Sequence, residues 1–214
     1  FNRYAQQIQL SMKNITDVYM NTIDFHTEKA DLYLYELLNN DLECTILKSP
    51  YSSDFEYENA KYRCHNTLSD QMEREEIISG YFLVAGGKHT DCILALKSDL
   101  TDSESLQIYI NNSRNCDNKW HLASINGQNL LIRLASEKNF YYGAIVNLDS
   151  VQAEMKHQGR YDSQTIFFSE NTPNTDKEHI LASSVSSRMD VVLSMEVSQK
   201  ECYRGLPYLN QIFI

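Results

Sequence analysis

The stretch from Trp120 to Lys156 constrains the fold of this chain more than any other part of the sequence. The dipeptide Asn126-Gly127 lies near its start and favours a two-residue hairpin turn in which both central residues have positive φ. Because β-rich apolar runs flank this turn, the sequence predicts paired strands at Trp120–Ile125 and Gln128–Ala135.

A third strand and a short helix complete this stretch. A polar break separates the hairpin from a strand predicted at Phe140–Leu148. We expect Asp149 or Ser150 to cap a short helix, in which Val151 and Met155 lie on one face. Three antiparallel strands followed by a helix form a core on which the other elements must pack.

The N-terminal segment carries the strongest helical pattern in the sequence. Its apolar stripe repeats at steps of three or four residues, without Gly or Pro, at Ile8, Met12, Ile15, Tyr19, Ile23, His26, Ala30, Tyr33 and Leu37. A helix of this length measures roughly 50 Å, which is longer than one small sheet can cover. We therefore expect a stalk helix within residues 1–48 and a parallel homodimer through its stripe.

The remaining elements are shorter. A helix is predicted at about 55–74 after the capping residues 52–54, and its apolar positions are Phe55, Tyr62, Leu68 and Met72. Runs at 77–85 and 91–97 form a second hairpin around the turn Gly86-Gly87-Lys88, and Asp102 or Ser103 begins another helix. Three more strands are predicted at 164–169, 180–185 and 189–198.

This order of elements indicates an α+β fold, in which a long N-terminal helix packs on a central antiparallel sheet. A length of 214 residues allows one full core and a smaller second module. The net charge of −10, without any Lys/Arg-rich run, argues against a nucleic-acid partner. No stretch reaches the roughly 18–20 continuous apolar residues of a membrane span.

The cysteines and the chain ends give weaker information. An odd number of cysteines without a C-x-x-C motif favours free or buried thiols, and the pairing of any bridge stays open among Cys44, Cys64, Cys92, Cys116 and Cys202. Since the chain starts at Phe1 without Met, we expect a fragment of a longer protein. Its apolar tail at 206–214 is either the start of a membrane helix or an ordinary terminal element.

The sequence carries no recognisable catalytic or metal-binding motif. The six histidines stand singly, and no zinc-site, calcium-loop or G-x-S-x-G pattern occurs. The turn at Gly86-Gly87-Lys88 lacks the phosphate-loop pattern and joins two strands. We therefore predict no catalytic residue, no metal and no cofactor, which favours a binding or sensing module over an enzyme.

A small-ligand pocket is a hypothesis supported by aromatic and arginine residues on or beside the central strands. Such side chains can hold a small polar ligand or a sugar. The candidates are Tyr81, Tyr109, Arg114, Trp120, Arg133, Tyr141 and Tyr142. The alternative is that these residues are half-buried sheet aromatics without any ligand.

Several local patterns together resemble one known family. They are the long N-terminal helix, the segments 57–62 and 77–83, Lys119-Trp120, the segments 128–133 and 141–151, and the closing Leu206-Pro207-Tyr208-Leu209. This combination resembles the extracytoplasmic sensor domains of Gram-positive membrane histidine kinases, which hold a large Cache-type (PAS-like) domain between two membrane helices. Residues 143–149, Gly-Ala-Ile-Val-Asn-Leu-Asp, are the best single match.

The resemblance implies a domain division and a function. The stalk at 1–48 would precede a membrane-distal PAS-like domain at 49–158, a small membrane-proximal β module at 159–205 and a membrane-directed tail at 206–214. The chain would then lie outside the cell membrane and sense a sugar, an amino acid, an organic acid or an extracellular protein by shifting the stalk helix.

The sequence also departs from the family pattern. The membrane-proximal module is reduced, and the Tyr, Arg, Trp and Asp pattern of amino-acid-binding Cache domains is not evident, so the resemblance assigns no binding residue. The alternative function is an extracellular carbohydrate-binding or adhesion module without a signalling role.

Overall fold

The structure is a computed structural model that describes residues 2–85, 91–100, 102–113, 117–138, 140–158, 164–174 and 178–202. Its helices are α1 (Asn2–Asn40), α2 (Leu42–Lys48), α3 (Asp54–Arg74), α4 (Ser103–Asn112), α5 (Leu148–Gln158) and α6 (Gln199–Cys202). Its strands are β1 (Ile78–Ala85), β2 (Cys92–Leu96), β3 (Trp120–Ile125), β4 (Gln128–Glu137), β5 (Phe140–Asn147), β6 (Thr165–Ser169), β7 (His179–Val185) and β8 (Val192–Ser198).

The chain divides into two compact units. The larger unit spans residues 25–150 and contains a five-stranded antiparallel sheet in the order β2-β1-β5-β4-β3. The smaller unit combines residues 1–24 and 151–214 and contains a three-stranded antiparallel sheet in the order β6-β8-β7. The predicted α+β fold, with a long helix and antiparallel sheets, is confirmed, whereas the predicted four-part domain division stays a prediction.

Helix α1 confirms the predicted long helix. It contains 39 residues and is therefore roughly 58 Å long. None of the nine residues of the predicted stripe is exposed, and Met12, Ile23 and Ala30 are at most 1% exposed. The stripe packs within the chain, so the predicted dimer surface is covered by the chain's own core. A dimer through α1 would need another face of the helix.

Helix α3 begins with the predicted cap but buries a different face. The Ser53 hydroxyl accepts a hydrogen bond from the Glu56 backbone N–H, and the Glu56 carboxylate accepts one from the Ser53 N–H. Of the four apolar or aromatic positions named from the sequence, Leu68 and Met72 are buried, whereas Phe55 and Tyr62 are 77% and 69% exposed. The helix instead buries residues at steps of three and four, namely Tyr57, Ala60, Cys64, Leu68 and Met72.

The two predicted hairpins are confirmed, and one cap is corrected. Asn126 and Gly127 have φ values of 48° and 80°, as their turn requires. Helix α5 is capped by Asn147 rather than by Asp149 or Ser150, because the Asn147 Oδ1 accepts hydrogen bonds from both of their backbone N–H groups at 3.1 and 3.4 Å. The predicted turn at residues 86–88 and the tail at 206–214 lie outside the described residues.

Hydropathy gives no membrane-spanning element in the part of the chain that the structure describes. Every helix there is either too short or too polar to cross a bilayer.

Candidate functional site

The strand register of the five-stranded sheet assigns its side chains to two faces. Directly opposed residues in antiparallel strands place their side chains on the same face. One face, here named the helix face, carries the opposed residues Trp120, Arg133, Ala144 and Tyr81. The other face, named the α4 face, carries the opposed pairs formed by Ile132 and Ile145 and by Leu134 and Gly143.

Asp31 of α1 is fixed to the helix face by residues of two strands. The Trp120 indole N–H donates to its carboxylate oxygens at 3.2 and 3.4 Å. The Arg133 Nε lies 2.5 Å from Asp31 Oδ1, but it makes no aligned hydrogen bond, so charge attraction holds this pair. The Arg133 and Asp31 side chains are only 17% and 22% exposed, which strengthens the attraction relative to a surface pair.

The ion pair is supported from the loop before β3. A guanidinium N–H of Arg133 donates to the backbone carbonyl of Asn118. The Asn118 side-chain oxygen in turn accepts a hydrogen bond from the Ser136 N–H at 3.1 Å. Asn118 has a φ of 61°, a left-handed conformation that asparagine tolerates better than most residues. These contacts fix the position of the guanidinium beside α1.

Aromatic contacts continue the attachment of α1 to the helix face. The rings of Tyr33 and Tyr81 meet edge to face with their centroids 5.3 Å apart. The Tyr81 hydroxyl is buried and has no hydrogen-bond partner within the described ranges. Burial, together with the nearby carboxylates of Glu75 and Asp31, raises the pKa of Tyr81 well above its usual value. Burial also raises the pKa of Tyr142 on this face.

Glu75 forms a second buried attachment of α1, at the end of α3. Its carboxylate, only 1% exposed, lies 2.9 Å from Lys29 Nζ and 3.3 Å from His26 Nδ1. It also accepts a hydrogen bond from the Gln71 amide at 2.9 Å. The Lys97 ammonium donates to the Glu75 carbonyl, and burial lowers the pKa of this lysine. A buried carboxylate that contacts Lys29 and His26 of α1 and Gln71 of α3 holds the two helices together.

The α4 face is apolar and is covered by α4. Its core consists of Phe82, Val84, Leu100, Leu106, Ile110, Ile125, Leu130, Ile132, Leu134 and Ile145. Gly143 leaves room for the Phe82 ring, because a Cβ at that position would lie 2.4 Å from the Phe82 Cζ and 1.8 Å from the Arg133 carbonyl oxygen. Tyr109 and Tyr141 are half-buried against this core.

Polar contacts at the N-terminus of α4 position it over the sheet. The Asp102 carboxylate accepts a hydrogen bond from the Ser105 N–H at 2.9 Å and another from the Asn126 amide. The Asn126 amide also donates to the Ser105 hydroxyl at 2.8 Å. The hydrogen bonds from Ser105 and Asn126 hold the pKa of Asp102 below its usual value. The hairpin turn predicted from the sequence thus also anchors a helix.

The structure separates the residues that the sequence suggested as one pocket. Tyr81, Trp120, Arg133 and Tyr142 lie on the helix face. Tyr109 and Tyr141 lie on the α4 side of the sheet, and Arg114 lies outside the described residues. These residues therefore cannot all contact one small ligand.

Sequence reasoning missed the acidic partners of these residues. Asp31 lies beside the buried face of α1, and Glu75 lies at the end of α3. A single carboxylate at such a position forms no recognisable sequence pattern. One usable signal was Asp31 beside the buried stripe position Ala30, which is 0% exposed. An acidic residue next to a buried helix position often has a cationic partner.

The smaller unit has its own attachment of α1. The Asp24 carboxylate is 6% exposed and accepts hydrogen bonds from the Ser186 hydroxyl at 2.5 Å and from the Ser187 N–H at 2.8 Å. The Asp17 carboxylate accepts one from the Ser184 hydroxyl at 2.7 Å. Helix α1 is thus anchored by carboxylates in this unit as well.

Comparison with known proteins gives matches only at the level of structure. No protein-family profile and no curated protein sequence matches the chain. The extracellular domain of soHK1S-Z6, a protein assigned as a histidine kinase, matches with a TM-score of 0.58 at 7% identity, over 94% of this chain and 97% of that one. The extracellular domain of vpHK1S-Z8, assigned likewise, matches with a TM-score of 0.52 at 12% identity, over 95% and 98% of the two chains.

The chain has the fold of these extracellular sensor domains. The ligand-binding domain of the Campylobacter jejuni chemoreceptor Tlp3, in complex with L-norvaline, matches with a TM-score of 0.50 at 11% identity, over 94% of this chain and 95% of that one. The sensor-domain fold that the sequence resemblance implied is therefore confirmed.

Proposed function

We propose that this chain is the extracytoplasmic signal-sensing domain of a membrane receptor, and that this receptor is a two-component histidine kinase. The observation that carries the proposal is the match of 94% of the chain to the extracellular domain of soHK1S-Z6. The chain itself is assigned no catalytic role, and any kinase chemistry belongs to other parts of the receptor.

The α4 face is the proposed ligand site. The helix face is occupied by α1, which the largely buried Asp31–Arg133 pair fixes to β4 and the Lys29–Glu75 pair fixes to the end of α3. The α4 face is instead covered by one ten-residue helix, which buries Leu106 and Ile110. A short helix over an apolar sheet can move with less loss of contacts than a long helix fixed by charge. A ligand would therefore bind between α4 and the sheet.

The ligand that fits this face is a small molecule with an apolar part and a polar end. Aliphatic side chains supply the apolar surface, and Tyr109 and Tyr141, which pack against it, would supply hydroxyl groups for the polar end. Tlp3, whose fold this chain shares, binds L-norvaline, a small apolar amino acid. Apolar amino acids and organic acids are therefore favoured over sugars.

Signal transmission would use the contacts on the helix face. A ligand that repositions α4 bends or shifts the strands beneath it, and Arg133 and Trp120 on the other side of these strands hold Asp31. The same strands that contact the ligand thus contact α1. A small displacement of α1 along its axis is the proposed output. The extent of this displacement depends on the difference in ligand affinity between the resting and the displaced state of the domain.

A ligand screen by thermal shift tests the binding proposal. A binding compound present at about 100 times its Kd should raise the melting temperature of the domain by about 5 °C or more. Tyr109→Ala and Tyr141→Ala should each raise the ligand concentration needed for the same melting-temperature shift at least tenfold. Tyr142→Ala on the helix face should leave this concentration unchanged. Equal weakening by all three variants, or by Tyr142→Ala alone, would place the ligand elsewhere.

We also propose that the receptor is a homodimer through an exposed face of α1. Phe25, Leu32 and Tyr35 are 62%, 57% and 66% exposed, and Leu10 and Val18 near the N-terminus are both 62% exposed. Spacings of seven residues between Phe25 and Leu32 and of three between Leu32 and Tyr35 place the first three on one side of the helix. Exposed apolar side chains at heptad spacing favour self-association.

Cross-linking in the membrane tests the dimer, because tethering raises the local concentration of the domain. In the full-length receptor, Phe25→Glu combined with Leu32→Glu should abolish cross-linking through a reporter cysteine on α1. Tyr51→Glu is the matched control, since Tyr51 is 93% exposed but lies outside α1. Equal cross-linking in all three proteins would contradict the proposed dimer surface.

The alternative, an adhesion or carbohydrate-binding module, makes different predictions. If this alternative holds, the full-length sequence should lack membrane helices on both sides of the chain and should lack kinase motifs. It also predicts stabilisation by sugars rather than by apolar amino or organic acids. The flanking sequence and the ligand screen together separate the two functions.

A further inference from the structure

Cys44 on α2 and Cys64 on α3 face each other in the interior of the larger unit. The two side chains are 0% and 1% exposed, and their Sγ atoms lie 3.9 Å apart. Sulfur atoms at this distance are in contact, whereas the two sulfurs of a disulfide bond lie roughly 2 Å apart. No other described cysteine is paired in this way with either of them.

The backbone around both cysteines is held by local contacts. The Asp41 carboxylate caps α2 by accepting a hydrogen bond from the Cys44 N–H at 3.0 Å. The Ser52 hydroxyl donates to the Ile46 carbonyl at 2.8 Å, which fixes the connection between α2 and α3. The Arg63–Glu43 ion pair, at 2.9 Å, links the two helices beside the cysteines. The juxtaposition of the two thiols therefore follows from defined helix packing.

We propose that Cys44 and Cys64 form a structural disulfide that joins α2 to α3 after export to an oxidising compartment. The inference rests on the extracytoplasmic location given under the proposed function, because disulfides persist outside the cytoplasm. The oxidant is a disulfide, either of an oxidoreductase or of a small thiol. One cysteine thiolate attacks it and displaces one thiol, and the second cysteine then attacks the mixed disulfide and displaces the other. Two cysteine thiols and one external disulfide thus give one protein disulfide and two external thiols.

A metal site is the competing use of the same residues. Asp41, Cys44 and Cys64 place three donor atoms within 4.8 Å of one another. A structural zinc site needs four donors, and the Asp41 carboxylate already accepts the Cys44 N–H. Hydrogen bonding to Cys44 and burial raise the pKa of the Cys64 thiol, which disfavours the two thiolates that a metal requires. These observations favour the disulfide.

Burial also determines when the bond forms and how long it lasts. A neutral buried thiol reacts slowly in exchange, so the bond should form during folding, before α2 and α3 close over the pair. Once formed, it is shielded from external reductants. The bond closes a loop between residues separated by 20 positions. Because it constrains the unfolded chain, the bond should raise the melting temperature by about 5–10 °C.

Refolding of the 214-residue chain in a glutathione redox buffer tests the pairing without depending on cellular location. After alkylation of free thiols, peptide mass spectrometry should find one linked peptide pair that contains Cys44 and Cys64. Reduction should lower the melting temperature by about 5–10 °C. The double variant Cys44→Ala/Cys64→Ala should not respond to reduction, and Cys92→Ala should respond as the wild-type chain does.

Three results would overturn the proposal: complete alkylation of both cysteines after oxidation, pairing of either one with another cysteine, or stoichiometric zinc that competes with oxidation. A second arm isolates the chain after export from a bacterial cell. Pairing in the redox buffer but reduced thiols after export would contradict the native disulfide. Failure to bind any ligand would leave the pairing result intact, so the two proposals fail separately.

Discussion

Arg133 on β4 and Asp31 on α1 form an ion pair in which the guanidinium Nε lies 2.5 Å from the carboxylate Oδ1. Trp120, which lies directly opposite Arg133 on β3, binds the same carboxylate through its indole N–H. One acidic side chain of the long helix is therefore fixed to two neighbouring strands. In the proposed mechanism, a movement of these strands would be passed to α1 through this carboxylate.

Removing the charge of Asp31 should destabilise the domain. Asp31→Asn keeps the shape but leaves the Arg133 guanidinium without its carboxylate in a mostly buried position, and we expect a loss of about 2 kcal/mol in the free energy of unfolding. Urea denaturation measures this loss. Arg63→Met is the matched control, because Arg63 is 67% exposed and its pair with Glu43 should contribute less than about 1 kcal/mol. Equal losses would show that burial does not strengthen the Asp31 pair.

Tyr81→Phe should leave the stability unchanged or raise it by about 1 kcal/mol. Its hydroxyl is buried without a hydrogen-bond partner in the described ranges, so its removal relieves a desolvation cost and keeps the ring contact with Tyr33. The matched control is Ser186→Ala, which removes a hydroxyl that donates to Asp24 and should cost about 1 kcal/mol. A clear loss of stability in Tyr81→Phe would instead reveal a bound water or ligand on the hydroxyl.

Gly143→Ala should be far more harmful than Gly127→Ala. A Cβ at Gly143 would collide with the Arg133 carbonyl oxygen and the Phe82 ring, and we expect a loss of about 3 kcal/mol or failure to fold. Gly127 has open space around its Cα, and only its φ of 80° opposes a side chain, at a cost of about 1 kcal/mol. Thermal melts of both variants test this order, and a reversed order would contradict the described strand packing.

The attachment of α4 should weaken at acidic pH. Hydrogen bonds from Ser105, and then from Asn126, hold the pKa of Asp102 below its usual value. A carboxyl whose pKa is lowered on folding contributes stability that is present above its unfolded pKa, near about 4, and is lost as the pH falls through the folded pKa. The NMR shift of the Ser105 amide should therefore titrate below about pH 4 in the wild-type chain. In Asp102→Asn this titration should disappear, and a wild-type midpoint above about pH 4 would contradict the cap.

Sequence patterns predicted most of the fold because its signals are local. The Asn126-Gly127 dipeptide and the Ser53 cap each specify a turn or a helix start through contacts within a few residues. The stripe of α1 also predicted a long helix, but it could not distinguish a face packed on the chain's own core from a dimer face. Periodicity shows that one face of a helix is apolar, but it does not show what covers that face.

The candidate site was less predictable, because its contacts join distant segments. Asp31 and Arg133 are 102 positions apart, and no local pattern connects them. The aromatic set grouped Tyr141 with Tyr142, although adjacent residues of a strand point to opposite faces of the sheet. The strand register, which decides the face of each residue, depends on the pairing of β1, β4 and β5.

Amide hydrogen exchange with and without the strongest compound from the ligand screen tests whether ligand binding at the α4 face acts on α1. We expect slower exchange in α4 together with altered exchange in residues 25–37 of α1. In Asp31→Asn the change in α4 should remain and the change in α1 should be lost. A ligand that protects α4 equally in both proteins without affecting α1 in either would contradict the proposed coupling between the ligand face and the long helix.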